Sequence, residues 1–135
     1  VKARIKSFDC QGDTPETPTS ARLSPGVVLW VVPCWIGAYQ IASVLVLADE
    51  RGGHVRLADL GGKGDADARA MATNAHYDTD AQRLYAYAKG RGMADCGEST
   101  VHAWTGKGFA LVERSELEIC RGLSRDFWVT MFRTR

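Results

Sequence analysis

Neither sign of charge is in excess in this 135-residue chain: 17 Lys and Arg stand against 16 Asp and Glu, interspersed from end to end. A nucleic-acid or membrane-surface binder carries a basic stripe, so no nucleic-acid partner is expected. Long apolar runs are missing too. The longest, Val27 to Pro33, falls far short of the ~18 residues that span a bilayer, and no membrane insertion is expected. There is no Cys-x-x-Cys or His-x3-His spacing, which argues against a metal site. Asp65-Ala66-Asp67 opens like a calcium loop, but Arg69 stands where the third ligand belongs and no turn glycine follows. No Gly-x-Ser-x-Gly elbow occurs. No cofactor and no complete catalytic constellation are expected. The chain also lacks an initiator Met and a signal-peptide pattern, so either a leader has been removed or this is a fragment of a longer protein, and the second reading is favoured.

Hydrophobic residues make up 45% of the chain, with four Trp, four Phe and four Tyr, so residues 1–135 suffice for one buried core. Four cysteines, Cys10, Cys34, Cys96 and Cys120, are spaced 24, 62 and 24 apart. Three pairings are open. The equal spacings favour Cys10 with Cys34 and Cys96 with Cys120, each closing a local loop worth about 3 kcal/mol in the chain-entropy model. Free buried thiols and a metal site are the competing readings.

Strand signals dominate the rest. Val1, Ile5 and Phe8 have the spacing of a short N-terminal helix, and Gln11 to Pro25 reads as an irregular surface loop. Val27 to Val32, VVLWVV, predicts a buried strand stopped by Pro33, with a corner over residues 33–38. Tyr39 to Ala48 predicts a second strand, and Arg51-Gly52-Gly53 turns it into a third with Val55 and Leu57 on the core face. Met71 to Tyr77, Arg83 to Ala88, Val101 to Trp104, Phe109 to Val112 and Phe127 to Phe132 complete about eight short strands. Thr105-Gly106-Lys107-Gly108 reads as a four-residue hairpin loop. The fold class is all-β or β-dominated, an antiparallel meander arranged as a sandwich, a barrel or a propeller-like form. A loose echo of Leu29, Cys34, Gly37, Val44, Val55 and Leu57 in Leu84, Cys96, Gly97, Val101, Phe109 and Leu111 suggests two meander units.

Candidate chemistry is sparse. Cys96 follows the basic turn Lys89 to Gly92, which would lower a thiol pKa, but a disulfide is the simpler role. Glu113, Glu116 and Glu118 beside Arg114 read as a solvated strand edge rather than a carboxylate pair. Trp35, Tyr39 and Trp104 are candidates for a recognition surface, because Trp and Tyr dominate binding hot spots, although small β domains also fill their cores with such rings. Arg91 and Arg121 either brace their turns through Asp95 and Asp126 or face a partner. The tentative binding set is therefore Arg91, Asp95, Arg121, Trp35, Tyr39 and Trp104.

The segments PCWIGAYQ (Pro33 to Gln40) and AKGRGMADCG (Ala88 to Gly97), continued by Trp104, Gly106, Phe109, Leu111 and Cys120-Arg121-Gly122, resemble the DUF1176 family, bacterial exported proteins of unknown function. The resemblance runs from about Cys10 to Trp128. The chain departs from the pattern at His102, where an aromatic partner of Trp104 is common. The resemblance implies that the chain is the C-terminal part of a longer precursor, since family members usually carry a leader and an N-terminal portion, and it implies a periplasmic or secreted location and no activity. The expectation that follows is a non-enzymatic exported domain that binds an envelope or secreted protein or glycan, in its sharpest form restraining a cell-wall hydrolase. Two alternatives stand beside it: a small periplasmic hydrolase using His76 or His102 with a carboxylate, and a structural docking domain for a missing N-terminal portion.

Overall fold

The computed structural model describes Phe8, Cys10 and residues 17–37, 40–62, 64–89, 97–117 and 129–133. Its first half is built around β3 (Gln40–Ala48), in which all six residues from Ser43 to Ala48 are buried. An unbroken apolar run is what a strand covered on both faces requires. Leu45 and Leu47 point into a cluster shared with the second half of the chain, while Val44 and Val46 point the other way, into a cluster with Phe8 and Cys34.

β2 (Val27–Gly37) lies antiparallel to β3, and β1 (Thr19–Ser24) pairs with the outer side of β2. Both extend beyond what the sequence suggests. The stretch read as a surface loop becomes β1 because Pro25 and Gly26 close a tight hairpin, with Gly26 at a φ of 80°, and Leu23 drops into the core. Nor does β2 stop at Pro33. β1 begins only opposite Val31, so Pro33 sits where one flank of β2 is no longer laddered, a place that tolerates a missing N–H. The expected corner at residues 33–38 is a bulge at Cys34 within a strand that runs on to Gly37.

On its other side β3 carries two short strands end to end, β4 (Arg56–Leu57) and β5 (Met71–Thr73). Between them the chain makes an excursion containing a single helical turn, α1 (Ala66–Arg69). The Asp65 side chain caps that turn by accepting from the Ala68 N–H at 2.9 Å. Those five strands form one antiparallel sheet.

The second sheet is a plain meander of β6 (His76–Asp78), β7 (Arg83–Lys89), β8 (Gly97–Trp104), β9 (Phe109–Leu117) and β10 (Val129–Arg133). The single strand expected over Met71 to Tyr77 is in fact two, in different sheets. Asn74, at a φ of 50°, breaks the extended backbone between them, and asparagine is among the residues that tolerate that region. The hairpin at Thr105 to Gly108 is as expected: the Thr105 N–H donates to the Gly108 carbonyl at 2.9 Å, although only Gly106 takes a positive φ.

The fold is thus two antiparallel five-stranded sheets with no closed barrel, and they share a core. Leu29, Val31, Leu45 and Leu47 from the first sheet meet Leu84 and Trp104 from the second, the Trp104 and Phe109 rings packing edge to face at 5.2 Å. The Trp104 Nε1 donates to Ser24 Oγ across the sheets at 3.3 Å. The Cys10–Cys34 disulfide ties residues 24 apart and holds Phe8 and Cys10 against the outer face of the first sheet. Cys96, Cys120 and the segment Val1 to Ser7, where the N-terminal helix was expected, lie outside the described residues.

Candidate functional site

The inner face of the second sheet changes character along its strands. Cross-strand register sets out its rows: Trp104 opposite Phe109; then Leu84, His102 and Leu111; then Ala86, Thr100 and Arg114; then Ala88, Glu98 and Glu116. Strict alternation from Leu111 would turn Glu113 and Ser115 inward. A bulge at Val112 shifts the parity of β9, so Arg114 and Glu116 face inward instead. The first two rows fill the space between the sheets with large side chains, whereas the next two offer alanines and polar groups.

There the sheets stay apart, leaving a cleft of about 730 Å³. Its floor is lined by Ala86, Ala88, Thr100 and Leu111; Glu98 and Arg114 stand at its polar end, and His102 lies at the other, beside Leu111. The wall opposite is β5, backed by Ala42, together with Leu60, Gly61 and Gly62 from the excursion. Asn74 closes one end of the gap between the sheets, its Nδ2 donating to the Tyr87 carbonyl at 2.8 Å.

Arg114 organises the polar end. Its Nε donates to Glu98 Oε2 at 3.1 Å and its Nη2 to Glu116 Oε2 at 2.7 Å. Glu98 above all, with Glu116 behind it, holds the guanidinium's pKa above the usual arginine value. Among the described residues, two carboxylates face one guanidinium here, a balance of one negative charge. The arrangement is partly solvated, the Arg114 side chain being 43% exposed, so the pairs position side chains more than they stabilise the fold.

His102 is 5% exposed. Its Nε2 lies 3.0 Å from the Leu60 carbonyl, and since a carbonyl only accepts, Nε2 carries the proton. Nδ1 is sealed from solvent and has no hydrogen-bond partner among the described residues. Burial, working against the bond to Leu60, pushes the imidazole pKa down, so the ring is neutral and fixes the excursion to the second sheet. His76 is exposed on β6, opposite Tyr85. Neither histidine is hydrogen-bonded to a carboxylate among the described residues, and His102 lies four residues along β8 from Glu98, about 13 Å at the rise of a strand.

Of the residues singled out in the sequence, Trp104 is 9% exposed and belongs to the shared core. Trp35 is half-buried against the outer-face cluster of the first sheet, away from the cleft. Arg91, Asp95, Arg121 and Tyr39 lie outside the described residues, as does the turn Gly90 to Gly92. Cys10 and Cys34 pair as expected. Of the glutamates read as a solvated edge, Glu118 lies outside the described residues, and Glu113 and Glu116 stand on an interior strand, β9, between β8 and β10, Glu116 with Glu98 bracketing Arg114 on the inner face. Sequence reasoning passed over Ala86, Ala88, Glu98, Thr100 and Arg114. The signal available was alternation, Leu84-Ala86-Ala88 on β7 and Glu98-Thr100-His102-Trp104 on β8. Among the described residues no cluster of three or more His, Cys, Asp or Glu could hold a metal.

A family model described as protein of unknown function (DUF1176) matches residues 1–135. No curated protein matches the chain, and no solved structure does.

Proposed function

The chain belongs to the DUF1176 family, and from that premise we propose that it is a non-enzymatic exported domain that binds an envelope or secreted partner in the cleft between its sheets. The observation that carries this reading is the graded inner face of the second sheet. Large side chains close the sandwich at one end, while Ala86 and Ala88 leave about 730 Å³ open at the other, with a few polar groups converging on it. A concave, largely apolar site with a small set of fixed polar groups is the usual form of a ligand pocket. The Cys10–Cys34 disulfide supports an oxidising compartment, periplasmic or secreted. Among the described residues no helix is long and apolar enough to cross a membrane.

The hydrolase reading has less support. His102 uses Nε2 to hold Leu60 and keeps Nδ1 away from solvent, and Glu98 is engaged by Arg114, so these groups serve the shape of the cleft. A partner whose activity is restrained, such as a cell-wall hydrolase, remains the sharpest form of the proposal.

The test is titration of the isotope-labelled protein with soluble peptidoglycan fragments and, separately, with a lysozyme-type hydrolase whose turnover is followed. The expected result is shift changes at Ala86, Ala88, Thr100 and Leu111, or lowered turnover, each lost in Ala88→Leu. That substitution fills the cleft without touching the closed end of the core, so its melting temperature should stay within a few degrees of the parent's. Shifts confined to other surfaces, or no response to either partner, would overturn the reading.

A further inference from the structure

We infer that the occupant of the cleft is an extended polypeptide segment carrying a basic side chain, added as a strand along the open rim of β5; this rests on the cleft-binding reading above. The hydrogen-bond parity of β5 is fixed by its neighbours. The Leu45 N–H donates to the Ala70 carbonyl at 2.7 Å, and the Asn74 N–H to the Ile41 carbonyl at 2.8 Å. In an antiparallel ladder bonded pairs alternate, so Ala70, Ala72 and Asn74 turn their peptide groups toward β3, and Met71 and Thr73 turn theirs away. No strand among the described residues pairs with β5 on that side.

That rim borders the cleft. Met71 and Thr73 share one face of the sheet and Ala72 has the other, yet all three line the cleft, which places it along the edge of β5 and not over either face. Across the gap lie Ala86 and Ala88 on β7, small enough to admit a backbone. At one end the gap is already bridged in strand fashion, the Asn74 side-chain amide donating to the Tyr87 carbonyl. An unpaired edge of N–H and C=O groups is a template for another strand. Its shortness, three residues, limits indiscriminate pairing. The polar end supplies the selectivity: among the described residues Glu98 and Glu116 outnumber Arg114, so a Lys or Arg of the incoming segment is favoured there and an acidic residue is repelled.

The probe is the capped pentapeptide Thr-Val-Lys-Val-Thr at up to millimolar concentration, its binding followed by chemical shifts of the whole protein. Two analogues carry N-methyl groups, one on both Val residues and the other on the central Lys and the last Thr. Strand addition to one edge uses alternate amides, so one analogue should lose at least about tenfold in affinity while the other stays close to the parent peptide. Replacing Lys by Glu should weaken binding by about tenfold at low salt. Thr73→Pro removes an N–H that the first sheet does not use, and should abolish peptide binding. If that variant fails to fold, the methylated pair decides alone. Equal binding of both analogues, no preference for Lys over Glu, or no binding of the parent peptide would overturn the inference. A chitin-type oligosaccharide that binds instead, blocked by Ala88→Leu and indifferent to Thr73→Pro, would overturn it while leaving the cleft-binding reading intact. Loss of all cleft ligands would remove both.

Discussion

His102 is buried on the inner face of the second sheet, and its ring has two nitrogens to satisfy there. In the fold both are determined: Nε2 anchors Leu60, and Nδ1 is sealed with no partner among the described residues. A proton arriving at Nδ1 would place a charge in a buried site with no acceptor, which is why burial lowers the pKa. The sign of the consequence follows. The unfolded chain takes up a proton near the ordinary value of 6.5, the folded chain only at lower pH, so stability falls as pH drops below about 6.5 and levels off once the folded ring titrates. The slope for one proton is at most ~1.4 kcal/mol per pH unit. His102→Gln keeps a donor for Leu60 and removes the titration. Urea unfolding at pH 7.5 and 5.5 should therefore show a smaller acid loss in the variant than in the parent, and equal losses would mean the ring is not the group responsible.

Among the elements, β2 and β3 were the most legible, and the reason is physical. VVLWVV and the buried run from Val44 to Ala48 are dense apolar signals whose meaning does not depend on distant partners. β1 was hidden because only Leu23 of its six residues is buried, so its pattern resembles a loop. The parity shift at Val112 was invisible, since a bulge is fixed by the partner strand and by nothing within β9 itself. The cleft was hidden for a related reason. It is made by alanines, and a small residue facing a gap looks the same in sequence as one facing a packed neighbour. The disulfide acts at this scale as well. Cys34 is fully buried in the bulge of β2 and secures the layer containing Phe8 over Val44 and Val46. Closing a 24-residue separation is worth about 3 kcal/mol in the chain-entropy model. Cys10→Ala/Cys34→Ala should lower the unfolding free energy by about that amount, measured by urea titration without reductant. Amide exchange should rise along β2 and β3 more than along β7 to β9; a uniform rise would show that the crosslink is not local in its effect.

At the scale of the molecule, the two sheets follow one another in sequence, yet neither has a core of its own on the shared side. Leu29, Leu45 and Leu47 need Leu84 and Trp104 opposite them, and Asn74, His102 and Trp104 each carry a polar link from one half to the other. A loose sequence echo between halves hints at two units. The packing makes them interdependent, and that can be measured. Trp30 and Trp35 report on the first sheet and Trp104 on the second, so 5-fluorotryptophan labelling gives a fluorine signal from each half. If the shared core holds the sheets together, then of the four tryptophan signals those of Trp30, Trp35 and Trp104 change at one denaturant midpoint, as a two-state transition requires. Leu84→Ala, which removes a fully buried side chain from the second sheet, should cost about 2–5 kcal/mol and move the Trp30 midpoint as far as the Trp104 midpoint. A Trp30 signal that keeps its parental midpoint while Trp104 shifts would show that the first sheet folds alone. The cleft would then be a seam between two separable units rather than a site held by one cooperative structure.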